Sequence, residues 1–347
     1  MHPTKAYAAP AAAQPLGPFE IQRREVGPHD VLIEIAYCGV CHSDIHQVKD
    51  EWGGSLFPMV PGHEIVGRVA QVGAHVKGFK PGDLAGVGCM VDSCRTCPSC
   101  ARDLEQFCQK GAAFTYNGTE MDRVTRTYGG YSSRVVVDEA FALHLSPRLD
   151  LAATAPLLCA GITTYSPLRH WHTKPGDQVG VVGLGGLGHM AVKLAAAMGA
   201  EVTMLSTSAG KEADARRLGA AGFGLTSDEA TFKRLAGRFD LIIDTISAPH
   251  DYNKYLGMVR LEGAMVLLGV PPAPTPIAAG SLIFGRKTLS GSLIGGIKET
   301  QEMLDFCAEH NVVSDIELIP VSGVNEAYGR MLKGDVRYRF VLDIKTL

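Results

Sequence analysis

Residues 178–188 read Gln-Val-Gly-Val-Val-Gly-Leu-Gly-Gly-Leu-Gly, so a short apolar run passes without a break into glycines at 183, 185, 186 and 188. A Gly-x-Gly-x-x-Gly turn carries weight only where it leaves a strand and opens a helix. Residues 189–199, HMAVKLAAAMG, have the composition of such a helix. Gly183 permits the tight turn, Gly185 lets the backbone approach a pyrophosphate, and Gly188 lets helix pack on strand. Gly186 and Leu187 complete the turn, after which the helix N-terminus offers free N–H groups and positive potential to phosphates.

The strand–helix rhythm continues beyond the turn. EVTMLS (201–206), FDLIIDT (239–245) and AMVLLG (264–269) read as strands, and AGKEADARRLGA (209–220) as an intervening helix. Such alternation predicts a doubly wound α/β unit with a parallel sheet, over 151–289. The segment before it is different. VLIEIAYCG (31–39), IVGRVAQVG (65–73) and YSSRVVVDE (131–139) are β-rich, with turns such as KPGD (80–83) between them. After about Leu289 come two amphipathic helices, ETQEMLDFCAEH (299–310) and GVNEAYGRMLKG (323–334), and a closing strand YRFVLDI (338–344). These last elements either extend the second domain or return to complete the first.

A chain of 347 residues is long enough for two cores. With 46% hydrophobic and 20% charged residues and a net charge of -3, nothing points to nucleic acid or an anionic membrane as partner. No apolar run reaches the ~20 residues of a membrane span. The Ala-rich N-terminus is broken repeatedly by Pro and lacks a signal-peptide core, so a cytoplasmic protein is expected.

Nine cysteines are present, and four of them cluster at Cys94, Cys97, Cys100 and Cys108. Four thiolates at such short separation can close a tetrahedron around Zn²⁺ with no open position, which is a structural rather than catalytic arrangement. A second, dispersed set is Cys41, His63, Glu64 and Cys159. Two cysteines and a histidine form one of the ligand sets that leave a zinc position open for substrate. No spacing rule joins these residues, and a single buried Cys or His is more often a packing residue. The context is suggestive: His63 stands between glycines in GHEIVG (62–67), and Cys41 opens the polar run CHSDIH (41–46).

With these three features in one order, the chain resembles the zinc-containing medium-chain dehydrogenase/reductase superfamily nearly end to end. Within it the chain is most similar to the cinnamyl-alcohol-dehydrogenase-type, NADP-dependent aldehyde reductases. GHEIVGRVAQVGAHV fits the superfamily's zinc signature, and CGVCHSDIHQV, CAGITTYSPLRHW, GLGGLGHMAVKLAAAMGA, GSLIGG and DVRYRFVLD look like subfamily motifs. The resemblance implies a GroES-like β-rich catalytic domain from 1–150 and 290–347, a Rossmann domain between, two zinc ions per chain and NADP(H). It implies a small-molecule aldehyde/alcohol pair as substrate.

Carried over position by position, Cys41, His63 and Cys159 would hold the catalytic zinc, with Glu64 a transient or supporting ligand. Asp44 would hydrogen-bond His63 and orient it. Ser43 would bond the substrate oxygen, and His46 would pass the proton to solvent through the cofactor ribose. Thr163, Gly269 and Val270 would meet the nicotinamide, Arg339 would reach the phosphates, and Ser292 and Leu293 would contact the cofactor at the border of the two domains.

Cofactor preference can be read from the residues. NAD-binding versions of the fold place an Asp or Glu about 20 residues past the glycines, on the adenosine ribose. Here the second strand ends at Ser206, Thr207 and Ser208, with Lys211 one turn on. Hydroxyls and an ammonium would donate to a 2′-phosphate that a carboxylate would repel. The apolar stretch at Thr288, Leu289 and Leu293 reads as a sheet edge able to pair with its own copy, so a homodimer is expected. Cys38, Cys89 and Cys307 read as buried, inert thiols. Trp52 and Leu293 are candidate pocket-wall residues, and 114–127 could border a substrate channel. Two competing readings are an NAD-dependent polyol or secondary-alcohol dehydrogenase on the same fold and a non-catalytic protein that binds zinc and nucleotide. The second would tolerate loss of a zinc ligand or of Ser43, and none is missing.

Overall fold

The run of apolar residues from Gln178 to Val182 forms the first strand of a six-stranded, wholly parallel sheet in the computed structural model, which describes residues 1–347. The strand order is Gly222–Leu225, Glu201–Ser206, Gln178–Val182, Phe239–Asp244, Val259–Leu267, Thr288–Gly291. The chain steps outward on one side and then crosses to the other, so the direction reverses between Gln178–Val182 and Phe239–Asp244. Ligands of such sheets bind beyond the carboxyl ends of the strands at this switch point. Val182 is in register with Leu205 on one side and Asp244 on the other, which brings Gly183, Ser206 and Thr245 out at one edge.

The centre of this sheet is buried on both faces, so its strands are continuous rather than alternating apolar runs. Val182, Leu205, Phe239, Ile242, Leu256 and Met265 share one core. Each such side chain contributes roughly 1.5–3 kcal/mol on burial. Thr288–Gly291 is the last strand, with one edge unpaired.

The chain divides into two units, Ala160–Ile294, which holds this sheet, and Met1–Cys159 with Gly295–Leu347. In the latter the ten-residue strand Asp30–Gly39 is the hub: Ile65–Val72, Arg134–Asp138 and Arg339–Asp343 all pair with it antiparallel. Leu84–Val87 and Leu143–His144 extend the sheet on one side, and Ile316–Pro320 on the other. The tail thus returns to this unit. Its helix Ile297–His310 buries Thr300, Met303, Leu304, Cys307 and Ala308, one stripe at helical spacing, and Asn311 ends it in a left-handed conformation.

Both expected domain borders need correction. The helix Leu151–Thr154 and the turn Ala155–Leu158 are buried against the Asp30–Gly39 and Ile65–Val72 strands, so the first border lies at Cys159 rather than 150. Thr288–Gly291 completes the parallel sheet, which moves the second from 289 to Ile294. No single helix is long and apolar enough to cross a membrane.

Candidate active site and metal centres

The sulfurs of Cys94, Cys97, Cys100 and Cys108 all lie within 4.8 Å of one another. The Cys97–Cys100 and Cys94–Cys100 sulfur separations are 3.5 and 3.9 Å, far beyond the ~2.05 Å of a disulfide. Backbone N–H groups point at them: Cys97 donates to the Cys94 sulfur, Cys94 to that of Cys108 and Gln109 to that of Cys97. The N–H of Thr96, followed by that of Cys97, brings the Cys94 thiol down to about 6. Burial pushes Cys100 up to about 11. A lobe whose apolar cluster is these cysteines and Ala112 has little else to hold it together. The donor set fits a closed tetrahedral zinc. The lobe is anchored to the tail by Glu105, which accepts the Ile297 N–H at the start of the 297–310 helix, and by the Asp103–Lys298 ion pair.

A second set, Cys41, His63, Glu64 and Cys159, likewise gathers its donor atoms within 4.8 Å, and all four residues are buried. Cys41 caps the short helix His42–Val48, and Asp44 in its first turn accepts the Cys41 N–H at 2.8 Å. The same carboxylate accepts from Gly62 N–H at 3.2 Å and Tyr131 Oη at 3.2 Å, and pairs with His63 Nδ1 at 3.2 Å. One fully buried Asp therefore holds the residues on either side of two donor atoms. With Nδ1 on Asp44, His63 turns Nε2 to the cluster, and its other face stacks on Tyr116 at 5.8 Å. Burial works against a charged His63, but Asp44 outweighs it and raises the pKa well above the ordinary value.

Glu64 shares this pocket. Burial lifts its carboxyl to about 7 against the pull of Arg339, which pairs with Oε1. Its Oε2 is buried without a hydrogen-bond partner. A Cβ at Gly39 would come within 1.8 Å of that oxygen, so only glycine fits there. Two thiols, an imidazole nitrogen and an orphaned carboxylate oxygen converging in a buried pocket fit a zinc ion.

Arg339, which the resemblance sets at the cofactor phosphates, pairs with Glu64. It is buried, and its Nη2 pairs with Glu64 while its Nε has no hydrogen-bond partner. The reason is register: the Arg339–Asp343 strand lies against Tyr37–Gly39 and carries the side chain in behind Cys41. Cys89 also needs correction. It is half-buried, its thiol donates to the Leu158 carbonyl at 3.7 Å, and its sulfur contact with Cys159 lowers its pKa. Cys38 and Cys307 are buried.

Ser43 Oγ stands 3.5 Å from His63 Nε2, on the cluster side of the ring. One turn on, His46 stacks on the exposed Trp52 at 4.9 Å and hydrogen-bonds Glu51 through Nδ1. Sequence reasoning missed Glu51, which beside Lys49 and Asp50 looks like solvated surface charge. It also missed Tyr116 and Tyr131, whose contacts with His63 and Asp44 are non-local. The 114–127 segment is tied to this region by Asn117, which accepts the Leu56 N–H at 2.7 Å and donates to Gln47.

In the parallel-sheet unit, Gly183 has φ +89, no atom lies within 4 Å of where a Gly185 Cβ would stand, and a Gly188 Cβ would meet the Gly183 oxygen at 1.8 Å. The helix Gly188–Ala197 starts directly after Leu187. Ser206 ends its strand and its Oγ accepts the Ser208 N–H at 3.2 Å, while Thr207 and Ser208 are exposed. Lys211 reaches back to donate to the Leu184 carbonyl at 2.8 Å, so its ammonium sits over the glycine turn. Thr163 lies buried in the Ala160–His170 helix. Gly269 presses on the Ile246–Ser247 peptide, Val270 is exposed, Ser292 N–H bonds the Leu267 carbonyl, and Leu293 is exposed.

Residues 27–147 match the alcohol dehydrogenase GroES-like domain family and residues 186–309 the zinc-binding dehydrogenase family. NADP-dependent alcohol dehydrogenase C 1 of Mycolicibacterium smegmatis is 56% identical over 100% of this chain and 99% of its own length. The aldehyde reductase YahK of Escherichia coli is 53% identical, covering 99% of each. A solved cinnamyl alcohol dehydrogenase from Sorghum bicolor superposes with a TM-score of 0.96 at 44% identity, covering 99% of this chain and 98% of that one.

Proposed function

We propose a residue-level mechanism for a chain that belongs to the zinc-containing medium-chain dehydrogenase/reductase superfamily, cinnamyl-alcohol-dehydrogenase type, and is a zinc-dependent NADP(H) alcohol dehydrogenase and aldehyde reductase. When bound, zinc supplies Lewis-acid polarisation of the carbonyl oxygen and NADPH supplies the hydride. Cys41, His63 and Cys159 would hold the metal, with the Glu64 carboxylate within reach of the same donor cluster. Asp44 keeps His63 in the tautomer that turns Nε2 inward. Cys94, Cys97, Cys100 and Cys108 hold a second zinc that staples their lobe.

Ser43 hydrogen-bonds the substrate oxygen and carries its proton in either direction. His46, one turn on, would pass that proton on toward solvent, with Glu51 on its Nδ1 as the neighbouring acceptor. The Cys89 thiol, beside Cys159, borders the same pocket. Gly183, Gly185, Gly186, Leu187 and Gly188 receive the pyrophosphate. Ser206, Thr207, Ser208 and Lys211 receive the 2′-phosphate, which favours NADP over NAD. The exposed edge of Thr288–Gly291 pairs with a second copy to give a homodimer. The substrate class is a primary alcohol and its aldehyde, aliphatic or cinnamyl-like.

The observation that carries the reading is the Ser43 hydroxyl 3.5 Å from the nitrogen of His63 that faces the buried four-donor cluster. The test is turnover of an aldehyde panel with NADPH and NADH, alongside zinc analysis of the same preparation. Reduction with NADPH by protein carrying zinc is expected. Turnover that survives complete removal of zinc would overturn the mechanism.

A further inference from the structure

One ionisable pair in the parallel-sheet unit is not used by this mechanism. Asp244 ends the Phe239–Asp244 strand, buried and in register with Val182. Its Oδ1 accepts the Ile246 N–H at 3.0 Å, and its Oδ2 lies 2.9 Å from His250 Nε2. The other ring nitrogen, Nδ1, is 2.8 Å from the Ala248 carbonyl oxygen. A carbonyl oxygen and an ionised carboxylate only accept, so both ring nitrogens donate and the ring is an imidazolium. Burial opposes that charge, but the Asp244 bond, the Ala248 carbonyl and the nearby Asp251 outweigh it and raise the His250 pKa. Tyr252 and Tyr255 of the Tyr252–Met258 helix also face the ring, with centroids at 4.8 and 5.5 Å. Burial pushes both tyrosines up, so neither ionises where His250 does.

The turn closed by this pair is wedged between two glycines of the cofactor site. Thr245 Oγ1 donates to the Val182 carbonyl at 2.8 Å and to that of Gly183 at 3.0 Å. A Cβ on Gly183 would stand 2.8 Å from Ile246, and one on Gly269 would stand 2.2 Å from the Ile246 carbonyl oxygen. The position of the 244–250 turn therefore sets the shape of both.

We propose that His250 and Asp244 form a proton-dependent latch on cofactor binding: the imidazolium clasps the 244–250 turn against Gly183 and Gly269 and neutralises a buried carboxylate beneath the pyrophosphate. The latch rests on the assignment of 183–188 as the pyrophosphate turn. His250 is a positioning residue that acts through this turn. Because its pKa is raised, the closed form is complete below the ordinary imidazole range and is lost as pH rises through the elevated value. Asp244 is then left as a buried, uncompensated charge at the strand end beside the glycine turn.

The experiment is a fluorescence titration of NADPH between about pH 7 and about pH 9, where the 2′-phosphate is already ionised and lysine is not yet neutral. Wild type should bind about tenfold more weakly at the top of that range, the scale of one charge-assisted contact. His250→Phe, which keeps the ring packing and removes both donors, should bind weakly at every pH. Adding Asp244→Asn to His250→Phe should recover most of the affinity with no pH dependence. A wild-type dissociation constant that stays flat overturns the latch and leaves the nucleotide site standing. A wild type that binds no NADPH overturns both. Should His250→Phe not fold, the wild-type profile decides alone.

Discussion

Asp44→Asn changes one atom of a buried carboxylate and leaves its shape intact, so its effect can be worked from four contacts. Oδ2 accepts from the Cys41 N–H and Tyr131 Oη, while Oδ1 accepts from the Gly62 N–H and pairs with His63 Nδ1. An amide nitrogen at Oδ1 would face two nitrogen donors. At Oδ2 it would face only the Cys41 N–H, because the Tyr131 hydroxyl can rotate and accept. The variant takes the second orientation and leaves one buried N–H unmatched, at about 1–3 kcal/mol. The bond to His63 also falls from charge-assisted to neutral, a further loss of about 1 kcal/mol. Both losses fall on residues proposed to hold the catalytic metal, so zinc affinity at that set should drop by about 10–100-fold. The assay is zinc content after dialysis against a graded chelator series. The variant should keep the four-cysteine zinc while losing the other at a chelator concentration that wild type withstands. Identical chelator profiles for the two proteins would refute the assignment of Asp44 as the residue that orients His63.

Cys41→Ser is expected to abolish turnover in a folded protein, whereas Cys100→Ser should lower thermal stability first and activity as a consequence; calorimetry with zinc analysis separates the two, and a single zinc in fully active wild type would contradict both. Lys211→Ala should raise the NADPH Michaelis constant about tenfold, the loss of one charge-assisted contact, and Ser206→Asp should lower the NADPH-to-NADH ratio of kcat/KM further. An unchanged ratio in Ser206→Asp would show that this strand end does not read the 2′-phosphate. Light scattering should give a dimer at micromolar concentration, and Leu289→Lys on the open edge strand should shift it toward monomer; a wild-type monomer would refute edge pairing.

What could be read from the residues alone was local. The glycine turn is one instance: the positive φ of Gly183, the open space at Gly185 and the contact of Gly188 with the Gly183 carbonyl all arise within six residues. The four-cysteine lobe is another, since its donors lie within one short loop. The dispersed set is different. His63 meets Cys41 because Cys38 pairs with Ile65 across two strands, a register that no spacing pattern encodes, and only the family resemblance joined them. The Arg339–Glu64 pair was out of reach for the same reason, since it depends on the pairing of the 339–343 strand with Tyr37–Gly39. The domain border was misread because the Ala- and Leu-rich 151–158 stretch looks like the first helix of the next unit, although its apolar side chains are buried in the previous one. Cys89 was misread because a lone cysteine in an apolar stretch looks like filler.

The Arg339–Glu64 pair has a consequence for how the enzyme is made. Every donor of both metal sets lies within the first 159 residues, whereas the guanidinium that balances Glu64 is supplied by residue 339. A chain that has not yet placed its Arg339–Asp343 strand therefore carries a complete list of donors around a carboxyl that has no counter-charge. Completion of the pocket waits on that strand, and a chain stopped before Arg339 keeps all its donors and loses the counter-charge of Glu64.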